Sequence, residues 1–142
     1  MARYPRGMTL IELTIVMVFA SVICGIALTR ATGFIDSIEV RGAITEIESM
    51  FSLARHVAIS RGAQSTLEID ASAGIISLRV GSEGVRSRDL RTAHGVTISS
   101  NRASMTYSPI GVGYGAANFS LVVSRNNVVD TVVISRLGRI RH

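Results

Sequence analysis

From Leu13 to Thr29 the chain runs for seventeen residues without a charged side chain, and the residue that opens the run is Glu12. Extended back to Met8, the run reaches about 20 residues, the length at which a helix crosses the hydrocarbon of a bilayer. A helix also satisfies its own backbone hydrogen bonds, as lipid requires. Whatever this chain folds into must therefore accommodate one long apolar helix near its N-terminus. Ahead of it lies MARYPRG, basic through Arg3 and Arg6, and Arg30 follows it. That balance only weakly favours a cytoplasmic N-terminus.

Four kinds of segment share this outline. A secretory signal has a basic start, an apolar stretch and a downstream cut. Gly25-Ile26-Ala27 and Ala31-Thr32-Gly33 have the small-x-small pattern of such a cut, and Glu12 counts against it without removing it. A lipoprotein signal would use Cys24, yet Ile23 stands where a small residue is wanted. A simple signal anchor explains the span and leaves the acid unexplained, because a carboxylate at the edge of an apolar helix calls for a partner. The fourth is carried by Gly7-Met8-Thr9-Leu10-Ile11-Glu12 followed by Leu13-Thr14-Ile15-Val16-Met17-Val18. This string resembles the type III signal of type IV prepilins and type II secretion pseudopilins.

The resemblance implies that a membrane prepilin peptidase cuts between Gly7 and Met8 on the cytoplasmic side. It also implies that the new Met8 amine is N-methylated and that the helix stays in the mature chain, with Glu12 at its fifth position. A physical reason for the acid stands beside it. An ammonium group in an apolar fibre core is as costly as a buried carboxylate, and pairing the two lowers both penalties. Glu12 could reach its own Met8 amine four residues away, or that of a neighbouring subunit, fixing axial register.

At 142 residues the chain has room for one domain besides this segment. A single cysteine, Cys24, rules out an intrachain disulfide, so packing must hold the body. Beyond Arg30 the pattern turns amphipathic. Phe34, Ile38, Ile47, Phe51, Ala54 and Ala58 form the expected core stripe, with Asp36, Glu39, Arg41, Glu46, Glu48 and Arg55 on other faces. Gly25, Gly33 and Gly42 mark expected points of bending or close subunit contact. One helix from Met8 to about Ser60 is expected, half in lipid and half packed on a sheet, ended by Arg61-Gly62.

After it the period becomes two. Strands are predicted at Thr66 to Ile69, Ile75 to Val80, Val96 to Ser99, Met105 to Tyr107, Phe119 to Val123 and Thr131 to Ser135. Asp70 to Gly74 and Arg125-Asn126-Asn127 read as hairpin turns, and residues 81 to 95 as an exposed loop. The expected fold is α+β: a long N-terminal helix packed on five to seven antiparallel strands, pilin-like in outline. Its predicted parts are a leader (1–7), a transmembrane and assembly helix (8–30), an amphipathic helix (31–60) and an antiparallel β domain (61–142).

The tail adds a second resemblance. Tyr107-Ser108-Pro109-Ile110-Gly111, then a hairpin, then Val132 to Arg141 ending in Gly138-Arg139-Ile140-Arg141, is similar to the C-terminal half of the GspH/FimT family of minor pseudopilins and minor pilins. That family has an aromatic-x-Pro-x-Gly stretch before its last strands and a Gly-Arg-x-Arg end. The similarity implies a non-enzymatic subunit of a type II secretion or type IV pilus fibre. Such a subunit sits in the bacterial inner membrane with its body periplasmic, and its partners are other pseudopilins or minor pilins. It also offers an alternative, DNA binding by Arg139 and Arg141 during transformation. On a strand these two arginines share a face, and guanidinium groups take phosphate bidentately. Residues 71 to 142 hold nine Arg against Glu83, Asp89 and Asp130, a balance that permits an anionic partner. A charged terminal strand that blocks edge pairing would look the same.

Other signals fall short of chemistry. Gly111, Gly113 and Gly115 lack GxGxxG spacing and no helix follows them. His56, His94 and His142 are scattered, without CxxC or HxxxH, so no metal is expected. Asp70 and Ser72 lack a nearby base. No cofactor and no catalytic residue are expected.

Overall fold

The computed structural model describes residues 7–114 and 118–141. Residues 1–6 of the predicted leader, with Arg3 and Arg6, and also Gly115 and His142 lie outside the described residues. The first helix, α1, spans Leu10–Arg61. It runs through both compact units of the chain, Met1–Ile35 and Asp36–His142.

In the first unit Leu10, Ile11, Leu13, Ile15, Val16, Met17, Phe19 and Ile23 are all at least half exposed. The hydroxyls in this run are satisfied locally: Thr14 Oγ1 donates to Ile11 O and Ser21 Oγ to Val18 O, both at 2.8 Å. Its mean hydropathy reaches 2.4 over an 18-residue window, so α1 is long and apolar enough to cross a membrane.

In the second unit the same helix is one-sided. Val40, Ala43, Ile44, Ile47, Met50, Phe51, Ala54, Val57 and Ala58 are buried at three- and four-residue spacing. The expected stripe is right from Ile47 onward and wrong before it, because Phe34 and Ile38 are exposed and Asp36 is buried. Helical period gives the reason: eleven residues make about three turns, so Asp36 is in phase with Ile47, whereas nine make about two and a half and put Ile38 opposite. The helix ends at Arg61 as predicted. Gly62, at φ 58°, donates to Ile59 O at 3.3 Å and Ala63 donates to Ala58 O at 3.2 Å, a Schellman closure that needs the left-handed residue.

Eight strands follow among the described residues: β1 Ser65–Asp70, β2 Ile75–Val80, β3 Glu83–Asp89, β4 Thr97–Ser100, β5 Ser104–Tyr107, β6 Phe119–Arg125, β7 Val128–Ile134 and β8 Ile140–Arg141. A short helix, α2, covers Leu90–His94. The strands form two four-stranded antiparallel sheets, ordered β3-β2-β1-β5 and β4-β6-β7-β8. The strand count thus exceeds the expected five to seven, and the body has two sheets. Leu67, Ile76, Leu78 and Tyr107 of the first sheet join Phe119, Leu121, Val132 and Ile134 of the second and the α1 stripe in one core. Phe51 and Phe119 meet with ring centroids 5.4 Å apart, and buried Ser65 donates to Ala54 O at 2.7 Å.

The loop expected over residues 81 to 95 is instead β3 and α2. Its period of two is hidden because β3 is an edge strand whose inward positions carry charge. Arg86 lies opposite Leu78 and Arg88 opposite Ile76, so both share the helix-facing side with core residues. Inward charge on an edge strand discourages pairing with another chain. With Glu46, Ser49 and Met50 of α1, these arginines line a cavity of about 50 Å³.

Candidate functional site

At the N-terminal end the structure gives the predicted site residues a local chemistry. Glu12 N donates to Thr9 Oγ1 at 3.3 Å, while Thr9 N donates to Glu12 Oε2 at 3.5 Å, the outer limit of a hydrogen bond. This is a capping box, in which the side chains at N-cap and N3 each satisfy an orphan backbone donor of the other. The anionic Glu12 also sits in the first turn, where the helix dipole favours negative charge. Thr9 was missed in the sequence, although Thr-x-x-Glu before an apolar run is a legible signal. Gly7 meets no other atom at its Cβ position, and Met8 is exposed. Gly7, Met8 and Glu12 are therefore accessible together at the foot of the apolar helix.

The C-terminal arginines are brought together. Arg141 pairs with Val133, and Ile140 with Ile134, so the tail ends in a two-residue strand, with Arg139 in the turn that leads into it. Arg139 and Arg141 line one cavity of about 200 Å³ with Asn118, Val133 and Ser135. Two arginines, an asparagine and a serine around one hollow are residue types that can hold an oxyanion. Asn118 and Ser135 carry no sequence signal for this role. Ser135 meets Arg139 through the turn between β7 and β8, and the pairing of β6 with β7 brings Asn118 beside them.

A third constellation was also missed. Asp36 Oδ1 accepts from Arg125 Nε and its Oδ2 from Asn126 Nδ2, both at 2.8 Å. Those bonds, Asn126's first, hold the Asp36 carboxyl below its ordinary pKa against the opposing pull of desolvation. Arg125 also donates through Nη1 to His94 O, and His94 Nδ1 meets Glu39 Oε2 at 2.8 Å. The His94 ring lies over Gly42, where a Cβ would come within 3.0 Å of its Cε1. Gly42 therefore serves a contact inside the chain. The stripe Asp36, Glu39 and Gly42 clasps the end of α2 and the β6–β7 turn, where Asn126 has φ 51°.

The remaining signals resolve into structure. Ser72 Oγ donates to Asp70 Oδ1 at 2.6 Å and Ala73 N to the same atom at 2.9 Å. These bonds, Ser72's first, hold the Asp70 carboxyl below its ordinary pKa and shape the predicted β1–β2 hairpin. Gly113 packs against Met105 and donates to Arg136 O at 2.9 Å.

The helix, the two sheets and their order define the pilin-like fold. Three solved chains share it. The type IV minor pilin FimU of Pseudomonas aeruginosa superposes with a TM-score of 0.65 at 20% identity, covering 76% of this chain and 90% of FimU. A second crystal form of FimU gives 0.60 at 18% identity, over 71% and 90%. The minor pseudopilin EpsH of the type 2 secretion system of Vibrio cholerae gives 0.58 at 13%, over 72% and 94%. No protein-family model matches the chain, and no curated protein matches it in sequence.

Proposed function

We propose that this chain is a minor pseudopilin or minor pilin, a non-enzymatic fibre subunit inserted in the bacterial inner membrane with its body periplasmic. Residues 1–7 are the leader, 8–30 the transmembrane and assembly helix, 31–60 the helix of the body and 61–142 its β domain. Prepilin peptidase cuts between Gly7 and Met8, and the freed Met8 amine is methylated. The observation that carries this reading is a pilin-like body continuous in sequence with a helix that is apolar on every face and exposed. Such a helix requires lipid before assembly and neighbouring subunits after it. Glu12 then has two uses: it caps its own helix through Thr9, and it neutralises an amine, its own or a neighbour's, once the leader is gone. The fibre is of the type II secretion or type IV pilus kind, with other pseudopilins or minor pilins as partners.

Mass spectrometry of the mature protein tests the reading. Met8 should be the N-terminal residue, carrying the mass of one methyl group. A mature chain beginning at Met1, or just after Ala27 or Gly33, rejects it.

A second reading is favoured by the shared cavity of Arg139 and Arg141. In it the chain is a FimT-like minor pilin that holds DNA phosphate for transformation. Deleting the gene separates the two: loss of secretion supports the first, and loss of transformation with secretion intact supports the second.

A further inference from the structure

The two tail motifs, Tyr107 to Gly111 and Gly138 to Arg141, meet over one helix side chain. A Cβ on Gly138 would stand 3.3 Å from Arg55 Cδ and 3.4 Å from its Nη1. A Cβ on Gly111 would stand 3.2 Å from Arg55 Nε and 2.7 Å from Ile59 Cδ1. Both glycines also have positive φ, 73° and 78°. The exposed Arg55 side chain therefore lies against both motifs at once, and a side chain at either glycine would press on it. The segments are tied to each other as well, by Gly113 N donating to Arg136 O at 2.9 Å.

What lies against Arg55 is the turn that launches β8. That turn is closed by Gly138 N donating to Ser135 O and Ser135 N to Arg139 O, both at 2.8 Å, and by Arg139 N donating to Ser135 Oγ at 3.1 Å. Beyond it β8 has two paired residues. So short a strand has few bonds of its own, and the turn sets where it goes.

We infer that Arg55 is a positioning residue for the tail. Seated between Gly111 and Gly138, it fixes the turn and thereby the direction in which Arg139 and Arg141 reach their common cavity. The ligand is the phosphate backbone of nucleic acid. This inference rests on the second reading above and deepens it.

The test uses the full-length chain in an uncharged detergent and a short fluorescent DNA duplex, with anisotropy followed across a salt series. The wild-type protein binds, and binding weakens steeply as salt rises. Arg139→Ala with Arg141→Ala abolishes it. Arg55→Ala weakens binding about tenfold in the wild-type background and changes nothing once both tail arginines are gone, because coupled residues do not add. Gly138→Ala, which leaves the charge untouched, weakens binding similarly. Arg55→Lys, which keeps most of the stem, restores it.

Wild-type affinity in Arg55→Ala overturns the inference. So does residual binding by the double variant that Arg55→Ala lowers further, which would make Arg55 an independent contact. If Arg55→Ala does not fold, unchanged binding by Gly138→Ala overturns it instead. Absence of DNA binding by the wild-type protein, or full binding by the Arg139→Ala, Arg141→Ala variant, has a different signature. Either outcome removes the second reading itself, and the inference with it.

Discussion

The two halves of α1 use similar residues and meet different surroundings. Between Leu10 and Ile26 apolar side chains occupy every face and remain exposed, whereas between Val40 and Ala58 they keep to one stripe and are buried. Hydrophobicity alone does not separate an anchor from a core. What separates them is where the polar residues fall: the second half interleaves Asp36, Glu39, Arg41, Glu46 and Arg55, and the first, beyond Glu12 in its opening turn, admits only Cys24 and two hydroxyls that bond back to their own helix. A helix apolar all round must be covered by lipid or by other chains, and a helix apolar on one side by its own domain.

The largest consequence concerns two phenylalanines. Phe51 is buried and meets Phe119, and Phe19 is exposed in the apolar half. Phe51→Ala should cost about 3–5 kcal/mol of body stability. Phe19→Ala, measured as thermal unfolding of the full chain in the same detergent, should stay within about 0.5 kcal/mol. Equal losses would break the comparison, because the apolar half would then be packed on the body.

Most of the core-facing pattern was legible, and the exceptions have physical reasons. Leu67, Ile69, Ile76 and Leu78 announced their strands through alternation, and Arg61-Gly62 announced the end of α1. β3 stayed hidden because Arg86 and Arg88 take the inward positions that apolar residues hold elsewhere. α2 did leave a signature. Asp89 caps it by accepting from Thr92 N at 2.9 Å, and Gly95 closes it at φ 63°. With only Leu90 buried, a helix so short shows no apolar period to accompany its caps. At the tail, Arg139 and Arg141 were readable as a pair. Asn118 was not, because the pairing of β6 with β7 brings it there, and Ser135 was not, because only the folded turn sets it against Arg139. Asp36 was assigned to a solvated face because a carboxylate in a core stripe is unusual without partners, and Arg125 and Asn126 lie far along the chain.

A smaller effect sharpens the contrast through pH. Asp36 opens the buried stripe, and its hydrogen bonds lower its pKa, Asn126's contribution being largest. A carboxyl depressed on folding contributes stability above its unfolded value of about 3.8, and that contribution is lost as pH falls through the folded value. Asp36→Asn should therefore lower the melting temperature at neutral pH, and the gap from wild type should close on acidification. Asp70 and Asp89 shift in the same direction, so wild type itself weakens in acid. A gap that persists undiminished at the lowest pH would show that the Asp36 clasp holds by shape and not by charge.

The smallest effect lies at the other end of the pH scale and probes the buried half from the sheet side. Tyr107 is fully buried, its hydroxyl has no hydrogen-bond partner among the described residues, and its pKa is pushed up to about 12 by that burial, with Arg55 pulling the other way. In the unfolded chain a tyrosine ionises near pH 10. The folded state thus keeps a proton that the unfolded state gives up, so stability is complete below about 10 and declines as pH rises toward about 12. Tyr107→Phe removes the titrating group and an unpartnered hydroxyl together, so at neutral pH it should change stability by less than about 1 kcal/mol. Between pH 10 and 12 the variant should unfold at a higher temperature than wild type. Identical alkaline profiles would mean that water reaches the hydroxyl in the folded protein.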